Sequence, residues 1–476
     1  MAGSGGRAGV GASLALAVGS AVVWGLAHIW VGRRLAGALL LGIELILAAG
    51  VTTAALTAGP ALLALAVQPV WLWAFALAAL LLATATVAVI IRSYLLVRPE
   101  SLTTTAQLLS ATAIGLLCAV VIAPMAYAAR LAYVSQTVVT SVFAKSATPV
   151  PVDPWNGRER INILLIGADA AANRVGIRTD SMTVASVDTR TGDTVLFGLP
   201  RNLEDVPMPP GPARERFPDG FQGEPPYSPG LLNEVYQYAE DHPEIMPRTP
   251  RNHRGPSLLK RTVSGILGIE VTNYAMVDMW GFVEIVDAMG GVRVRIKEPI
   301  VYGRQNEGLI EAGRRKLSGE EALWYGRSRT FSDDYVRMGR QKCLMNAVAK
   351  QADPVTVLRS FERLAAAAVN AVSTDIPREM LPALVDLAGK VKNAEIRSLQ
   401  FVPPLINTGY PDYDLIKREA AAALAKPPAR PSSSATPGAS AAARAAGPAE
   451  DGPEVPGGVT GARAGVSTVT LDTVCG

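Results

Sequence analysis

The chain has 476 residues, of which 49% are hydrophobic and 18% charged, a balance that predicts that part of it lies in a membrane. The formal net charge is only +4 and the basic residues form no long runs, which excludes a general nucleic-acid surface. Three cysteines exclude a dense disulfide framework, and the absence of a CxxC pair argues against a zinc site.

Long apolar segments dominate residues 1–143, which we predict to be a transmembrane anchor region of three to four spans. About 20 apolar residues are needed to cross the hydrocarbon core, and three stretches reach that length: 36–57, 70–91 and 106–129. The stretch 12–31 is also long enough, but it contains several glycines and His28, so it either spans the membrane or enters it as a re-entrant segment. Because the apolar segments follow one another, none is a cleavable signal peptide. Since they hold almost no charged residues, an anchor is favoured over a transporter.

The arginines between these segments predict the orientation of the chain. Arg33 and Arg34 precede the first secure span, Arg92 and Arg98 separate the second from the third, and the loop 58–69 carries no charge. The positive-inside rule places those arginines in the cytoplasm. We therefore predict a multi-pass cell-membrane protein in which the chain after about residue 130 is extracytoplasmic.

A linker at 144–158 leads to a globular domain at 159–425, and an Ala/Pro/Ser/Gly-rich tail at 426–476 is predicted to be flexible. Within the domain, two β-rich runs around a glycine-containing turn predict a hairpin, and alternating apolar runs and helical patterns predict a layered α/β or α+β domain. The predicted strands are 161–167, 182–187, 194–199, 273–278, 291–296 and 395–402. The predicted helices are 231–241, 257–268, 280–289, 318–326, 335–351, 354–372 and 377–391. The Pro- and Gly-rich segment 203–230 is too long for an ordinary loop, so it is either functional or disordered.

Charged residues stand at the ends of the first three predicted strands. Asp169 follows the first strand, Arg178 and Asp180 precede the second, and Arg201 follows the third. Because open α/β sheets place ligands at strand ends, these side chains could converge on one site. The alternative is that each is a turn former, a helix cap or a solvated surface group.

A second group of polar residues lies further along the chain. Arg327 and Arg329 are two residues apart, which in an extended segment places both on one side, and Arg337 and Gln341 share one face of a helix. Arginine suits bidentate contact with phosphate oxygens, and two carboxylates can hold a magnesium ion that also meets a substrate phosphate. A ligand with two adjacent phosphates and a divalent ion would use both groups of residues.

Six segments carry a resemblance to a known family: NILLIGAD (162–169), RTDSMTV (178–184), GLPR (198–201), GFVEIVDAMGGV (281–292), LSGEEALWYGRSR (317–329) and DYVRMGRQ (334–341). In this order they resemble the LytR-CpsA-Psr family of cell-wall glycopolymer transferases, of the actinobacterial type. A weaker similarity continues through 402–412.

The resemblance implies an extracytoplasmic α/β/α domain whose central mixed sheet encloses a hydrophobic cavity for a polyprenyl chain. Members of the family move a glycopolymer from undecaprenyl pyrophosphate onto peptidoglycan or a related wall acceptor. By motif position, Asp169 and Asp180 would hold Mg²⁺, with Mn²⁺ as the alternative ion. The residues that would bind the pyrophosphate are Arg178, Arg201, Arg327, Arg329, Arg337 and Gln341. One departure is Asn202, where the family commonly has aspartate.

In this chemistry, an acceptor hydroxyl attacks the phosphorus bound to the sugar and polyprenyl phosphate leaves, so the product is a phosphodiester. Arg178, Arg201 and Asp180 are the residues expected to act in catalysis, mainly by positioning and charge stabilisation. The general base stays unassigned, because a carboxylate that holds a metal is a poor free base. Two other functions stay open: a non-catalytic sensor or regulator that binds lipid-linked wall precursors, and a polyprenyl-pyrophosphate hydrolase.

Two cysteines fall outside the predicted membrane spans. Cys343 lies on a predicted helix and Cys475 is one residue from the C-terminus, and an extracytoplasmic compartment permits disulfides. We predict a bond between them; the alternative is a buried free thiol at 343 and an unpaired cysteine in the tail.

Overall fold

The computed structural model describes residues 9–57, 65, 68–100, 102–143, 153–169, 176–224, 228–303, 305–351, 360–425, 468–471 and 475. The predicted linker residues 144–152 and the tail residues 426–467 therefore lie outside the described residues. The described chain consists of N-terminal apolar helices followed by an α/β domain.

The N-terminal helices are α1 (Val10–Val22), α2 (Leu26–Trp30), α3 (Arg34–Thr57), α4 (Pro69–Val97) and α5 (Thr104–Val142). Helices α3, α4 and α5 are long and apolar enough to cross a membrane, which confirms the three predicted long apolar segments. The stretch 12–31 is not one helix, because Gly25 adopts a left-handed conformation (φ 90°) between α1 and α2. The 13 residues of α1 extend about 20 Å, too short for a hydrocarbon core of about 30 Å.

The strands of the α/β domain are β1 (Arg160–Asp169), β2 (Arg178–Asp188), β3 (Thr194–Leu199), β4 (Asn273–Asp278), β5 (Val292–Ile296), β6 (Ile300–Tyr302), β7 (Gly308–Ile310), β8 (Gly313–Leu317), β9 (Val372–Thr374), β10 (Ile396–Gln400) and β11 (Val469–Thr470). Its α-helices are α6 (Pro212–Arg216), α7 (Val235–Asp241), α8 (Arg254–Leu267), α9 (Met279–Ala288), α10 (Gly319–Arg327), α11 (Asp334–Gln351), α12 (Phe361–Ala371), α13 (Leu381–Asn393) and α14 (Tyr413–Leu424). The first residues of the helix predicted at 354–372 lie outside the described residues.

A mixed sheet with the strand order β11-β10-β3-β2-β1-β4-β9 forms the centre of the domain. Strands β1, β3, β4 and β10 run in one direction, whereas β2, β9 and β11 run in the other. The predicted hairpin of β2 and β3 is confirmed, with Val184 opposite Phe197. Because side chains alternate along a strand, Leu164 faces a large core with α7, α8 and α14, and Ile161 faces a smaller cluster with α13. Helices on both faces make this an α/β/α domain.

The described residues of the proline-rich segment 203–230 contribute to the large core. Leu203, Val206 and Phe221 are fully buried, and Phe217 and Phe221 pack edge to face with ring centroids 5.1 Å apart. The alternative of a disordered insert is therefore wrong for these residues, and the alternative of a functional insert stays a prediction. Burial of aromatic side chains orders the loop, a contribution that the turn-rich local composition conceals.

Helix α9 crosses α12 at a close contact centred on Gly281. A Cβ placed on Gly281 would lie 1.7 Å from the Cβ of Ala371, far inside van der Waals contact. Helix α12 also packs on the outer part of α5, where Arg130 contacts Glu362 at 2.7 Å. The crossing at Gly281 therefore connects the sheet, through α9 and α12, to the helix that leaves the membrane.

We expect Gly281→Val to lower the free energy of unfolding by about 2–3 kcal/mol, because overpacking a closed contact forces the helices apart. Thermal melting of the purified chain in detergent measures this change. Gly339→Val is the matched control, since a Cβ at Gly339 meets nothing within 4 Å and should produce only the small helix-propensity effect of a β-branched residue. Equal melting temperatures for the Gly281 variant and the wild type would contradict the close crossing.

The end of the chain is ordered where it is described. Strand β11 pairs with β10 through Arg397–Thr470 and Ser398–Val469, Leu471 is buried, and Cys475 forms a disulfide with Cys343 of α11, with the Cα atoms 5.3 Å apart. The prediction of a flexible tail over 426–476 is therefore wrong for residues 468–471 and 475. An apolar pattern of only a few residues gains its order from the sheet edge and the covalent bond.

Candidate active site

Four sheet strands bring the predicted charged residues to one end of the domain. Strand β1 ends at Asp169, β2 begins with Arg178, and Arg201 follows the end of β3. Because β2 is antiparallel to both β1 and β3, these three termini meet at the same edge. Strand β4 is parallel to β1 and ends there too, at Asp278. The expected convergence of strand ends on one edge of the sheet is found.

A bulge in β2 positions Asp180. Ser181 pairs with Gly167 and Thr179 pairs with Ala168, so that Asp180 is the additional residue without a partner in β1. A bulge bends a strand and redirects one side chain, and here it turns Asp180 toward Arg201, whose Nη1 lies 2.6 Å from its Oδ1. The side chains of both residues are about one-fifth exposed, so the pair is only partly screened by water.

Helices α10 and α11 supply the remaining arginines. The predicted capping box of Ser318 and Glu321 starts α10, whose last residue is Arg327, and Arg329 lies in the following loop. Asp333 caps α11 by accepting hydrogen bonds from the backbone N–H groups of Tyr335 (2.9 Å) and Val336 (2.7 Å). That cap leaves the neighbouring Asp334 side chain available for other contacts.

Asp334 contacts three arginines and is the central residue that sequence reasoning missed. Its carboxylate lies 3.1 Å from Nε of Arg201, 2.8 Å from Nε of Arg329 and 3.8 Å from Nη2 of Arg337. The sequence contained two indications of a role for Asp334. It is an acidic residue in the first turn of a helix, where the helix dipole stabilises negative charge, and Arg337 follows it at i+3. The sequence alone gave no reason to prefer this role to simple helix capping.

Burial and charge act in opposite directions on the pKa values of these groups. Burial lowers the pKa of Arg201, but its hydrogen bond to Asp180 and the charges of Asp180 and Asp334 outweigh that effect and raise it. Burial favours a raised pKa for Asp334, yet Arg337, Arg201 and Arg329 together lower it below its ordinary value of 3.8. Arg337 is only 3% exposed, and burial lowers its pKa despite Asp334. The shifts of Arg201 and Asp334 therefore both favour the charged forms of this ion pair.

These side chains border a cavity of about 380 Å³. Two aromatic residues, Tyr302 and Trp324, form part of its wall with ring centroids 6.0 Å apart. The polar residues that line it are Arg178, Asp180, Arg201, Arg327, Ser328, Arg329, Thr330 and Arg337. Five arginines around one cavity produce a strongly positive site, as the binding of an anion with several oxygens requires.

Two predicted site residues lie beside this cavity and do not line it. Asp169 is only 3% exposed, and its carboxylate lies 3.1 Å from Nη2 of Arg327. It therefore positions Arg327 without lining the cavity itself. Gln341 donates to the carbonyl of Gly326 at 3.0 Å and faces a separate gap between α11 and the sheet. Five of the six residues predicted to bind the pyrophosphate therefore line one cavity, whereas Gln341 lies outside it.

The gap between α11 and the sheet bears on the expected hydrophobic cavity. The gap encloses only about 20 Å³, with Met338 and Met345 among its walls. A volume of this size has room for about one water molecule. Methionine fills irregular space well, and here it closes the region. This gap is therefore too small for a polyprenyl chain.

Asn202 has a structural partner of its own. Its Nδ2 donates to Oγ1 of Thr408 at 3.0 Å, and the hydroxyl of Tyr335 lies 3.3 Å from the same atom. This bridge connects the end of β3 to the loop after β10 and to the first turn of α11. An amide can donate this hydrogen bond, whereas the aspartate found at this position in the family cannot when ionised.

The carboxylates of Asp169 and Asp180 are compatible with a magnesium site. They belong to neighbouring strands at the same sheet edge, and Mg²⁺ is commonly held by one or two carboxylates together with waters and substrate phosphates. Among the described residues no group of three or more acidic, histidine or cysteine side chains forms a complete protein cage. Both carboxylates contact arginines in the structure. An ion would therefore bind together with an anionic ligand, which would replace the carboxylates as the partner of the guanidinium groups.

We expect the arginine cluster to weaken in acid. The pKa of Asp334 is lower in the folded than in the unfolded protein, so its contribution to stability is complete above pH 4 and is lost as the pH falls through the folded value. Asp334→Asn should lower the melting temperature at pH 7 and make it less dependent on pH between 5 and 3. Asp219→Asn, at an exposed site, is the control. An unchanged pH dependence in the Asp334 variant would contradict this role.

A family model described as LytR_cpsA_psr matches residues 131–422. The match covers more than half of the chain and contains the arginine cavity, helix α11 and every strand of the central sheet except β11. The chain therefore belongs to the LytR-CpsA-Psr family, as its six segments indicated.

Two curated relatives carry different names. The chain is 25% identical over 257 residues to the polyisoprenyl-teichoic acid–peptidoglycan teichoic acid transferase TagU of Enterococcus faecalis, covering 52% of this chain and 73% of that protein. It is 26% identical over 241 residues to the regulatory protein MsrR of Staphylococcus aureus, covering 49% of this chain and 63% of MsrR. This chain thus spans less than two thirds of the length of MsrR.

Among solved structures, B. subtilis TagV is similar with a TM-score of 0.40 and 22% identity, covering 56% of this chain and 95% of TagV. TagT bound to LIIa-WTA has a TM-score of 0.40 and 17% identity, covering 59% of this chain and 94% of TagT. These scores are low, and the family assignment rests on the match to residues 131–422.

Proposed function

We propose that this protein is a phosphotransferase that moves a glycopolymer from an undecaprenyl-pyrophosphate carrier onto peptidoglycan or a related wall acceptor outside the cytoplasm. The observation that carries the proposal is the cavity bordered by Arg178, Arg201, Arg327, Arg329 and Arg337. Five guanidinium groups exceed what one monophosphate needs, and their arrangement suits the oxygens of two adjacent phosphates. Family membership and the name of the relative TagU support the same substrate class.

The roles of the residues follow from their contacts. Arg201 and Arg329 are held in place by Asp334, so their guanidinium groups are oriented before the ligand arrives and little reorganisation is needed at the moment of transfer. Arg337 is buried and donates to the backbone carbonyl of Asp180 at 3.4 Å, which fixes the bulge of β2. Asp334 is a poor proton acceptor because its pKa is lowered, and its function is to position the arginines.

A divalent ion would be held by Asp169 and Asp180, with Mg²⁺ as the preferred ion and Mn²⁺ as the alternative. When bound, it would neutralise charge on the phosphate oxygens. The Nη atoms of Arg201 and Arg327, which contact these carboxylates in the structure, would then bind the pyrophosphate, while Nε of Arg201 keeps its contact with Asp334. The acceptor hydroxyl attacks the phosphorus attached to the sugar, the bond to the bridging oxygen breaks, and polyprenyl phosphate leaves with that oxygen.

The test is incubation of the purified full-length chain in detergent with a polyprenyl-pyrophosphate-linked glycan, Mg²⁺ and a peptidoglycan oligomer. A phosphodiester-linked product is the expected result, with loss of activity when Mg²⁺ is removed by chelation. Release of free polyprenyl phosphate with no linked product would favour a hydrolase instead. Binding of the lipid without turnover would favour a sensor, in line with the name of the relative MsrR.

A further inference from the structure

Most of the exposed large hydrophobic side chains of the α/β domain lie near residues that line the arginine cavity. After helix α5, eight large hydrophobic residues of the described chain are exposed. Five of them adjoin the cavity and are named here the apolar collar: Trp280, Leu309, Phe331, Val336 and Tyr410. Single exposed apolar residues need no explanation, but a group beside one polar site marks a surface that contacts another apolar phase.

Each member of the apolar collar is close to a residue of the cavity. Phe331 follows Thr330, Val336 precedes Arg337, and Leu309 adjoins Gly308, which pairs with Tyr302 in the β6–β7 hairpin.

The other two members lie on separate elements. Trp280 follows Met279, whose sulfur lies 2.9 Å from Nη1 of Arg327. Tyr410 lies two residues after Thr408, which hydrogen-bonds Asn202 beside Arg201. The apolar collar thus belongs to α9, to the β6–β7 hairpin, to the start of α11 and the loop before it, and to the loop after β10.

The exposure of Phe331 is imposed by its own loop. Phe331 is 95% exposed and has a φ of 57°, a left-handed conformation that a bulky residue rarely adopts. Hydrogen bonds on both sides hold it: Oγ1 of Thr330 lies 3.0 Å from Oδ1 of Asn306, and the N–H of Ser332 donates to the carbonyl of Arg329 at 2.9 Å. The loop therefore presents the aromatic ring to the surroundings instead of folding it inward.

The chemistry of the apolar collar identifies its partner. Tyrosine and tryptophan suit both sugars and membrane interfaces, but Phe331, Val336 and Leu309 have no polar atom for a sugar hydroxyl, and they suit the boundary between lipid headgroups and acyl chains. The arginines of the neighbouring cavity suit lipid phosphates. The chain also has three helices able to cross a membrane, which keep the domain within reach of a bilayer.

We propose that the apolar collar is a membrane-contact surface that seats the mouth of the arginine cavity on the outer face of the bilayer. Phe331, which is 95% exposed, and Tyr410, which is 87% exposed, enter the headgroup region, and the cavity opens toward the lipid phosphates. The consequence for the donor rests on the proposed function: its pyrophosphate reaches the arginines without leaving the membrane plane.

A direct test places one nitroxide spin label at a time on the full-length chain in vesicles of equal parts phosphatidylcholine and phosphatidylglycerol. Cysteine is introduced at Phe331, Tyr410 or Glu270 in a Cys118→Ser background, with the native disulfide kept. Glu270 is the control, because it is exposed and lies beyond the opposite end of β4. Labels at 331 and 410 should be more accessible to oxygen than to a polar nickel reagent, with the reverse at 270.

Equal access of the polar reagent to all three positions would overturn the proposal. Protection of position 331 only after addition of a soluble glycan would also overturn it, because the apolar collar would then be a sugar platform. This measurement needs no turnover, so it stands even if the proposed transferase activity fails.

A second test uses activity. The triple variant Phe331→Ser, Val336→Ser, Tyr410→Ser should lose about tenfold activity with a long-chain polyprenyl donor in vesicles, since three apolar contacts with the bilayer are removed. Its activity with a short-chain, water-soluble donor should equal that of the wild type. Because the replaced side chains are exposed, the melting temperature should not change. A loss with both donors would place the collar against the substrate and would contradict the membrane contact.

Discussion

Arg201→Ala is expected to lower the rate of glycopolymer transfer by roughly 10²–10³-fold, because removal of one preorganised donor has that effect on charge stabilisation in a transition state. In this site the loss is not confined to one contact. Arg201 lies between Asp180, 2.6 Å away, and Asp334, 3.1 Å away, so its removal leaves two carboxylates without a shared cation. The measurement is the initial rate of formation of the linked product by the full-length enzyme.

Two variants make this result specific. Arg201→Lys keeps the charge but cannot contact two carboxylates with one planar group, so we expect it to recover only a small part of the activity. Arg158→Ala removes an exposed arginine that pairs with Glu270 at the other end of the sheet, and it should leave the rate unchanged. Full activity of Arg201→Ala, with Arg158→Ala also unchanged, would show that the cavity is not the site of transfer.

Cys475→Ser is expected to lower the free energy of unfolding by about 2–4 kcal/mol, since the disulfide restricts the unfolded chain over a long loop. The bonded cysteines are 132 residues apart. Strand β11 has only two residues, and pairing of that length is too weak to hold the chain end by itself. Thermal melting in detergent under non-reducing conditions measures the effect.

Reduction provides the matched control for this prediction. A thiol reductant should shift the melting temperature of the wild type to that of Cys475→Ser and should leave the variant unaffected. Because Cys343 and Arg337 share helix α11, the reduced protein should also show weaker binding of the donor. An identical melting temperature for oxidised wild type and variant would show that the disulfide contributes nothing to stability.

The strand ends of the sheet could be predicted from the sequence because local patterns determine them. Two β-rich runs identified β2 and β3, a glycine-containing turn joined them, and charged residues marked the strand ends at Asp169, Arg178 and Arg201. Antiparallel and parallel pairing then brings those ends together whatever the details of packing. The three long apolar helices followed from length and hydropathy alone in the same way.

Features that depend on distant contacts could not be predicted. The bulge that turns Asp180 toward Arg201 depends on the register between β1 and β2, and the role of Asp334 depends on where the loop after β3 meets the start of α11. Gln341 shares a helix face with Arg337, yet it bonds to Gly326, because one helical turn is enough to move a side chain out of a small cavity. Helical periodicity predicts which face of the helix a residue lies on, but it does not predict where along that face the ligand binds.

The last of the three helices able to cross a membrane limits how far the domain can move from the lipid. Helix α5 has 39 residues, or about 58 Å at 1.5 Å per residue, so about half of it projects beyond a hydrocarbon core of about 30 Å. Its outer part contacts α12 through the ion pair of Arg130 and Glu362. A transferase attached to the membrane in this way would search in two dimensions and would have a short vertical reach. It would modify only those acceptor strands that lie nearest the membrane, so geometry as well as chemistry would select the layer of the wall that receives the polymer.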